Sequence, residues 1–312
     1  MSADAPENLR KTGLCLSGWG LFAQKPAEDI DDCQDAIAGD AATQAFAIAD
    51  GSSASFLPRQ WAQILVAKFV EYSADWEAWN RTSRKAWAEY ITELSGRTDL
   101  RITTKNNIKT REKGAATIVA VRRKSPAADI KELCVEVIAC GDACALLFRR
   151  ERFQRSFPLK SPKEFTSFPR VLFSEDEEFS PKLNIEEWKL VAGDVIVLAT
   201  DALAKWALTA IDEDLPRVRE MLSLQTLDAF AGFIHRQRCS APLLEIDDVA
   251  LAVLNVTAED KAHFEVMKPV VLPIEAKPTA KEAAIEARSP KPVIQGDTRP
   301  ADSRRAPAIS IS

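Results

Sequence analysis

The sequence predicts an α+β fold in which helices cover layered β-sheets. Segments typical of β-strands follow one another with short turns between about residues 114 and 149, whereas segments typical of helices come in pairs. A chain that alternated strand and helix strictly would instead predict a parallel α/β sheet. The chain has 312 residues, of which 46% are hydrophobic, so it can bury a sizeable core.

Two consecutive helices are predicted between about residues 57 and 96. In "LPRQWAQILVAKFVEYS" the apolar side chains recur at three- and four-residue spacing, and Pro58 falls in the first turn, where proline is tolerated. The next segment, "DWEAWNRTSRKAWAEYITELSG", has Asp75 as a candidate N-cap and Gly96 as a stop. We interpret the tryptophans of this segment as core residues.

The strands are predicted from runs of β-branched and apolar residues. These runs are "GAATIVAVRRK" from Gly114 and "LCVEVIACGDACALLFRR" from Leu133, and we expect Gly141 and Asp142 to split the second run into a hairpin. The later runs "DVIVLATDAL" and "IDDVALAVLNV" repeat the pattern of an apolar strand beside an aspartate. Between them, "LQTLDAFAGFIHRQR" predicts a helix.

Composition argues against several classes of function. The net charge of −5 and the pI near 5.4 are unlike those of a nucleic-acid-binding surface, which needs clustered Lys and Arg. Two histidines are too few for most zinc sites or for a histidine-based triad. The longest apolar-rich region, from Leu190, contains Asp194, Asp201 and Lys205, so no membrane span is expected. The N-terminus lacks the apolar core of a signal peptide, and we expect a cytoplasmic protein.

A domain boundary is expected near residue 260. Residues 1–258 are predicted to form the folded domain. Beyond Phe264 there is no aromatic residue, and Pro, Ala, Lys and Glu dominate. Such a composition cannot bury enough apolar surface to repay the entropy of ordering, so residues 259–312 are predicted to be a disordered tail.

Aspartates recur at the ends of the predicted strands. A single aspartate at such a position is usually structural, because turns favour it. Several carboxylates that converge at a sheet edge would repel one another unless a cation compensates their charge. Carboxylate and carbonyl oxygens suit Mg²⁺ or Mn²⁺, so the pattern predicts a site for a hard divalent cation. The aspartates concerned are Asp35, Asp50, Asp142, Asp201, Asp247 and Asp248.

The order of the aspartate-containing blocks carries a family resemblance. The blocks "DCQDA", "FAIADGSS", "GAATIVAV", "IACGDACALLF", "GDVIVLATDALAKW" and "DDVALAVL" follow one another between about residues 13 and 256. This ordered set resembles the metal-dependent protein phosphatase 2C (PPM-type) family, and it looks like a divergent bacterial branch of that family. The resemblance implies a four-layer α/β/β/α sandwich with two Mn²⁺ or Mg²⁺ ions between the sheets and a bridging water as nucleophile.

The resemblance also implies a role for each motif residue. Asp50 would bridge both metal ions, and the Gly51 carbonyl would bind one of them. Asp201 and Asp247 would complete the ligands of the other ion, while Asp35 would hold metal-bound waters. The family pattern further suggests a weaker third metal position at Asp142, with Gln34 and Asp248 supporting the ligands from behind.

The chain departs from the family pattern at several positions. Ile30 stands where family members commonly carry an arginine that clamps the substrate phosphate, so Arg59, Lys11 or another cation would have to replace it. Ala202 and Lys205 replace a glycine and an often acidic residue after Asp201. "GDAC" stands in place of "GDSR", which leaves the third metal position open.

Two functions from different classes remain open on the sequence. The first is a phosphatase that acts on phosphoserine or phosphothreonine in the protein substrate of a cognate kinase, without a nucleic-acid or membrane partner. The second is an inactive pseudophosphatase that serves as a protein-binding module. A phospho-aspartyl hydrolase of the dehalogenase type is set aside, because neither Asp50 nor Asp201 is followed two residues later by a second aspartate.

Overall fold

The computed structural model describes residues 13–28, 32–124, 131–213, 216–241, 243–258 and 262–267. In these residues the helices are α1 (Pro58–Tyr72), α2 (Trp76–Ser95), α3 (Ile102–Thr110), α4 (Asp201–Asp212) and α5 (Leu227–Cys239). The strands are β1 (Cys15–Ala23), β2 (Asp35–Asp40), β3 (Ala45–Gly51), β4 (Ala115–Arg123), β5 (Leu133–Cys140), β6 (Cys144–Arg149), β7 (Arg152–Phe157), β8 (Leu172–Phe173), β9 (Asn184–Leu190), β10 (Asp194–Ala199), β11 (Val249–Thr257) and β12 (Phe264–Val266).

The strands form two sheets. Sheet I has the order β12-β1-β11-β10-β6-β7, and sheet II has the order β2-β3-β4-β5-β9, with the short β8 paired to β4. Neighbouring strands are antiparallel, except for β1 and β12, which run parallel. Antiparallel neighbours agree with the short connections that the sequence predicts.

The two sheets and the helices make four layers. Ile48 and Val119 of sheet II meet Ile196 and Leu254 of sheet I in a buried core between the sheets. The outer face of sheet I packs on α4 and α5, and the outer face of sheet II packs on α1 and α2. The predicted α+β sandwich of α/β/β/α type is therefore confirmed.

Helices α1 and α2 begin and end close to the predicted residues. Pro58 is the first residue of α1, and the carboxylate of Asp75 caps α2 by accepting a hydrogen bond from the Ala78 N–H at 2.9 Å. Gly96 follows α2 as its C-cap. The helix α3 was not predicted, since it buries none of its side chains and has no apolar stripe.

The predicted hairpin at Gly141 and Asp142 is wrong. Strand β5 before this pair belongs to sheet II, whereas β6 after it belongs to sheet I. The chain thus crosses from one sheet to the other at this point, with Gly141 at a φ of 98°. Strand propensity on both sides of a Gly-Asp pair is the same for a hairpin and for a crossing, so the sequence does not distinguish them.

The folded part extends beyond the expected boundary at residue 258. Strand β12 pairs with β1, and the ring of Phe264 lies against Phe46 with a centroid separation of 5.0 Å. The domain boundary therefore moves to at least Met267. The remainder of the predicted tail, residues 268–312, lies outside the described residues. Within the described part of the chain, no helix is both long and apolar enough to cross a membrane.

Candidate active site

A cleft with a volume of about 990 Å³ opens where strand β3 ends and helix α4 begins. Asp50 and Gly51 reach it from sheet II, and Asp201 reaches it from the first turn of α4. Asp142 lines it from the crossing between the sheets, and Asp247 lines it from the segment before β11. The structure thus brings together the five residues predicted as metal ligands.

Asp35 lies beside Asp50 because their strands pair. In the antiparallel register of β2 and β3, Asp35 stands directly opposite Asp50. Asp35 is buried, and one of its oxygens accepts a hydrogen bond from Thr200 Oγ1 at 2.9 Å. Thr200 precedes Asp201, so this bond ties the end of β10 in sheet I to β2 in sheet II.

Gly51 is required by the packing of helix α1. A Cβ atom at this position would lie 2.6 Å from the backbone carbon and oxygen of Pro58, which is closer than real Cβ atoms approach. The pair of Asp50 and Gly51 is therefore part of strand β3, where the helix comes close, and not the turn that an Asp-Gly pair commonly indicates.

Gln34 and Asp248 connect the ends of four strands. Asp248 precedes β11 and binds the segments after β1 and before β2, and Gln34 precedes β2 and binds the end of β3. Asp248 is buried and accepts hydrogen bonds from the backbone N–H groups of Lys25 at 2.9 Å and Gln34 at 2.8 Å. The Gln34 carbonyl accepts from the Gly51 N–H, and its side-chain oxygen accepts from Ser53 Oγ at 2.7 Å. The two residues therefore brace the segments that carry the cleft aspartates.

Burial and mutual repulsion raise the pKa values of the cleft carboxyls. Burial raises the pKa of Asp50 well above its usual range, and the charges of Asp201 and Asp142 raise it further. Burial and then the charge of Asp50 do the same for the pKa of Asp35. The pKa of Asp142 rises to about 7 through burial and the charge of Asp201, and the pKa of Asp201 rises to about 6 through burial and the charge of Asp247.

The chemistry of these side chains suits a divalent cation, because carboxylate oxygens are the ligands that Mg²⁺ and Mn²⁺ prefer. Asp142 Oδ1 is buried and has no hydrogen-bond partner among the described residues. A buried carboxylate oxygen without a partner is costly, and a cation would satisfy it while removing the repulsion between the carboxylates. Among the same residues, no three acidic, His or Cys side chains already stand close enough together to hold a metal ion. The cleft carboxylates would therefore have to draw closer on binding one.

Basic side chains line the cleft and could contact a phosphate. Ile30, at the position where the family pattern has its phosphate-binding arginine, is not among the described residues, and neither is Lys11. Arg111, Lys113 and Lys205 line the cleft, whereas Arg59 is not among its lining residues.

Lys25 also contacts a residue of the cleft, although no sequence motif marks it. Its Nζ lies 2.8 Å from Asp247 Oδ1. The two residues are far apart along the chain and nothing local marks Lys25, so only the register of β1 with β11 could have indicated the contact.

Solved structures of the same fold cover most of this chain. The serine/threonine phosphatase Stp1 from Staphylococcus aureus aligns with a TM-score of 0.51 and 11% identity over 82% of this chain and 99% of its own. The catalytic domain of the serine threonine protein phosphatase PstP, in complex with 2 manganese ions, gives a TM-score of 0.50 and 15% identity over 78% and 99%. PppA of Pseudomonas aeruginosa gives 0.50 and 13% over the same shares of the two chains.

At these identities the likeness shows the fold. No curated protein matches the chain by sequence. The family model of protein phosphatase 2C matches residues 28–243, which is more than half of the chain. The chain therefore belongs to the protein phosphatase 2C family.

Proposed function

We propose that the protein is a metal-dependent phosphatase that hydrolyses phosphoserine and phosphothreonine in proteins. One observation carries the proposal: carboxylates from both sheets converge on one cleft, and among the described residues Asp142 Oδ1 has no hydrogen-bond partner. Family membership supports it, as do the serine/threonine phosphatases of the same fold.

Two Mn²⁺ or Mg²⁺ ions would be held by side chains that come from both sheets. Asp50, the Gly51 carbonyl, Asp201 and Asp247, which all line the cleft, would supply the oxygens that hold the ions. Bound cations of this kind lower the pKa of water, orient a phosphate ester and offset the charge of an in-line displacement. Asp35 lies opposite Asp50 and is positioned by Thr200, so it would accept hydrogen bonds from water at the site. Asp142 remains the candidate ligand of a weaker third position.

The residues that line the cleft support a phosphorylated peptide segment as substrate. The cleft is open, and its walls carry Ser53, Lys113 and the exposed ring of Phe168 beside the acidic floor. We infer that the substrate is a phosphoprotein made by a cognate serine/threonine kinase in the cytoplasm.

The proposal is tested by measuring hydrolysis of p-nitrophenyl phosphate and of a phosphothreonine peptide during a Mn²⁺ titration. We expect no turnover in EDTA, a rise to saturation with Mn²⁺, and a similar but shifted curve with Mg²⁺. Turnover that persists after exhaustive chelation, or no turnover at any metal concentration, would contradict it.

A protein-binding module without catalysis is the second candidate. It is favoured by the Lys25–Asp247 ion pair, in which an ammonium already occupies one of the proposed ligand oxygens. Calorimetry separates the two functions. A chain that binds a phosphopeptide tightly but neither binds Mn²⁺ at millimolar concentration nor turns the peptide over would be a binding module.

A further inference from the structure

Lys25 is placed opposite Asp247 by the pairing of two central strands. Strands β1 and β11 are antiparallel, with Ala23 opposite Val249. The same register, continued by two residues, puts Lys25 opposite Asp247, where Nζ and Oδ1 are 2.8 Å apart. The pairing of β1 with β11 therefore fixes the relative position of the two backbones. In most surface ion pairs, by contrast, only the two flexible side chains bring the charges together.

The segment that carries Asp247 does not depend on the Lys25 side chain for its position. The Lys25 backbone N–H donates to Asp248 Oδ1, and the Gln34 N–H donates to the other oxygen of that carboxylate. Arg238 Nη2 donates to the Asp247 carbonyl oxygen at 2.7 Å. None of these contacts involves the Lys25 ammonium, so a change of partner at the Asp247 carboxylate does not require the segment to unfold.

The ion pair is partly shielded from water. The side chains of Lys25 and Asp247 are 21% and 44% exposed, and the Asp247 carboxylate lines the cleft. Asp247 Oδ1 accepts both the ammonium of Lys25 and the backbone N–H of Asp248 at 2.8 Å. A divalent cation that took this oxygen would meet the ammonium at contact distance, and like charges so close repel strongly.

We propose that the Lys25 ammonium is a built-in counter-cation for Asp247, and that Asp247 gives up this ion pair when it binds a divalent metal ion. The inference rests on the proposed function, since it takes Asp247 as a metal ligand. The ammonium compensates one carboxylate of the metal-free cleft and thereby lowers the affinity of that position for the metal ion. Lys25 is thus a residue that tunes metal binding, and it need not touch the substrate.

The test compares Mn²⁺ binding by calorimetry in wild type and three variants. Lys25→Met removes the charge and keeps the backbone N–H, and we expect Mn²⁺ to bind about three- to fivefold more tightly, as the loss of an ion pair of this kind allows. Lys25→Arg keeps the charge and should bind as wild type does. Lys68→Met is the matched control, because Lys68 forms a pair of similar distance and exposure with Glu71, 2.8 Å and 28% and 50% exposed, on α1.

A second measurement follows the ammonium directly. In the NMR spectrum of the full chain, we expect the Lys25 Nζ resonance to shift on saturation with Mg²⁺, whereas the Lys68 resonance stays in place. An unchanged Lys25 resonance in the Mg²⁺-bound chain would overturn the proposal, because the ion pair would then have persisted.

The outcomes separate this inference from the proposed function. If wild type binds Mn²⁺ and hydrolyses phosphopeptide while Lys25→Met binds Mn²⁺ no more tightly, only the role of Lys25 is overturned. If neither protein binds Mn²⁺, both proposals are overturned. Binding by Lys25→Met alone would support the counter-cation and would count against wild-type metal-dependent activity.

Discussion

Carboxylates with opposite surroundings lie at the two ends of strand β10, Asp194 at its start and Asp201 just beyond its end. At the first end, Asp194 is fully buried, and it accepts hydrogen bonds from Arg149 Nε at 2.8 Å and Nη2 at 2.7 Å and from the Val191 N–H at 2.9 Å. Beyond the other end, Asp201 has Asp247 and Asp142 as charged neighbours, and Asp142 leaves one buried oxygen without a partner among the described residues.

The surroundings of the two carboxylates distinguish a structural role at Asp194 from a ligand-binding role at the cleft. At Asp194 the chain provides an opposite charge and the carboxylate only joins β10 to β6. At the cleft the chain provides further carboxylates, which raise the free energy of the metal-free protein. The Lys25 ammonium offsets part of that cost at Asp247, and a bound divalent cation would offset the remainder.

The largest effect is expected on catalytic activity, which should depend on the cleft aspartates and not on Asp194. We expect Asp50→Asn and Asp201→Asn each to lower the metal-dependent turnover of a phosphothreonine peptide about a thousandfold or more, because each would lose a metal ligand. Asp194→Asn should keep turnover within about threefold of wild type after correction for the folded fraction. Steady-state kinetics with saturating Mn²⁺ make the measurement. Equal losses of turnover in all three variants would contradict the different roles assigned to Asp194 and to the cleft aspartates.

The second effect is a pH dependence of stability in the metal-free protein. The pKa values of Asp142 and Asp201 are raised to about 7 and about 6, and those of Asp35 and Asp50 are also raised. Between about pH 4, near the usual carboxyl pKa, and pH 7 the folded protein binds more protons than the unfolded chain, so the free energy of unfolding falls as the pH rises. We expect a fall on the order of 3 kcal/mol across this window.

The control for the pH dependence is the metal itself. Urea denaturation in EDTA at several pH values should show the fall, and saturating Mg²⁺ should flatten it, because a bound cation compensates the carboxylates. A stability that rises with pH over the same window in EDTA would contradict the cleft electrostatics.

The third effect is a change in the free energy of unfolding, which should have opposite signs for substitutions of Asp142 and Asp194. Asp142→Asn removes a repelled charge, and we expect it to raise the free energy of unfolding in EDTA by about 1–3 kcal/mol at pH 7. Asp194→Asn removes the partner of Arg149, and we expect it to lower the same quantity by about 1–3 kcal/mol. Urea denaturation of both variants provides the measurement, and two changes of the same sign would show that Asp142 has a compensating partner.

The fourth effect concerns the two glycines that directly precede Asp142 and Asp194 in the sequence. Gly141 and Gly193 both have a positive φ, of 98° and 84°. A Cβ at Gly141 would lie 2.6 Å from the Thr117 side chain, whereas a Cβ at Gly193 would meet nothing within 4 Å. We expect Gly193→Ala to cost about 1 kcal/mol from backbone strain alone, and Gly141→Ala to cost about 2–3 kcal/mol.

The glycine variants also test the cleft. Because the extra clash at Gly141 lies one residue before Asp142, Gly141→Ala should weaken Mn²⁺ binding, while Gly193→Ala should leave it unchanged. Thermal denaturation and calorimetry measure the two quantities. Equal costs in both variants would mean that the crossing between the sheets relaxes freely.

The smallest effect is expected at Lys205. Its ion pair with Glu245, at 2.6 Å, joins side chains that are 41% and 56% exposed. Such pairs contribute little, so Lys205→Met should change the free energy of unfolding by less than about 0.5 kcal/mol and turnover by less than about threefold. A loss of turnover much beyond that would identify Lys205 as a contact of the substrate phosphate.

Much of the fold was predictable because helix caps, prolines and apolar spacing depend only on residues close together in the sequence. Pro58 and Asp75 mark helix starts through their own backbone geometry and capping, and the apolar spacing in α1 and α2 follows from one face packing on a sheet. The hairpin at Gly141 was wrong because the same local signal fits a turn within a sheet and a crossing between sheets. Strand β12 fell beyond the expected boundary because three residues carry too weak a pattern.

The amino-acid sequence shows without any structure that aspartates end several apolar strands, and that these blocks follow the order of one phosphatase family. Which of the aspartates lie side by side depends on strand pairing and on the crossing between the sheets. The pairing of β2 with β3 sets Asp35 against Asp50, and the crossing after β5 carries Asp142 to the same cleft. The register of β1 with β11 brought Lys25 to Asp247, a contact that no local pattern could indicate, because residues far apart in the chain become neighbours only through strand pairing.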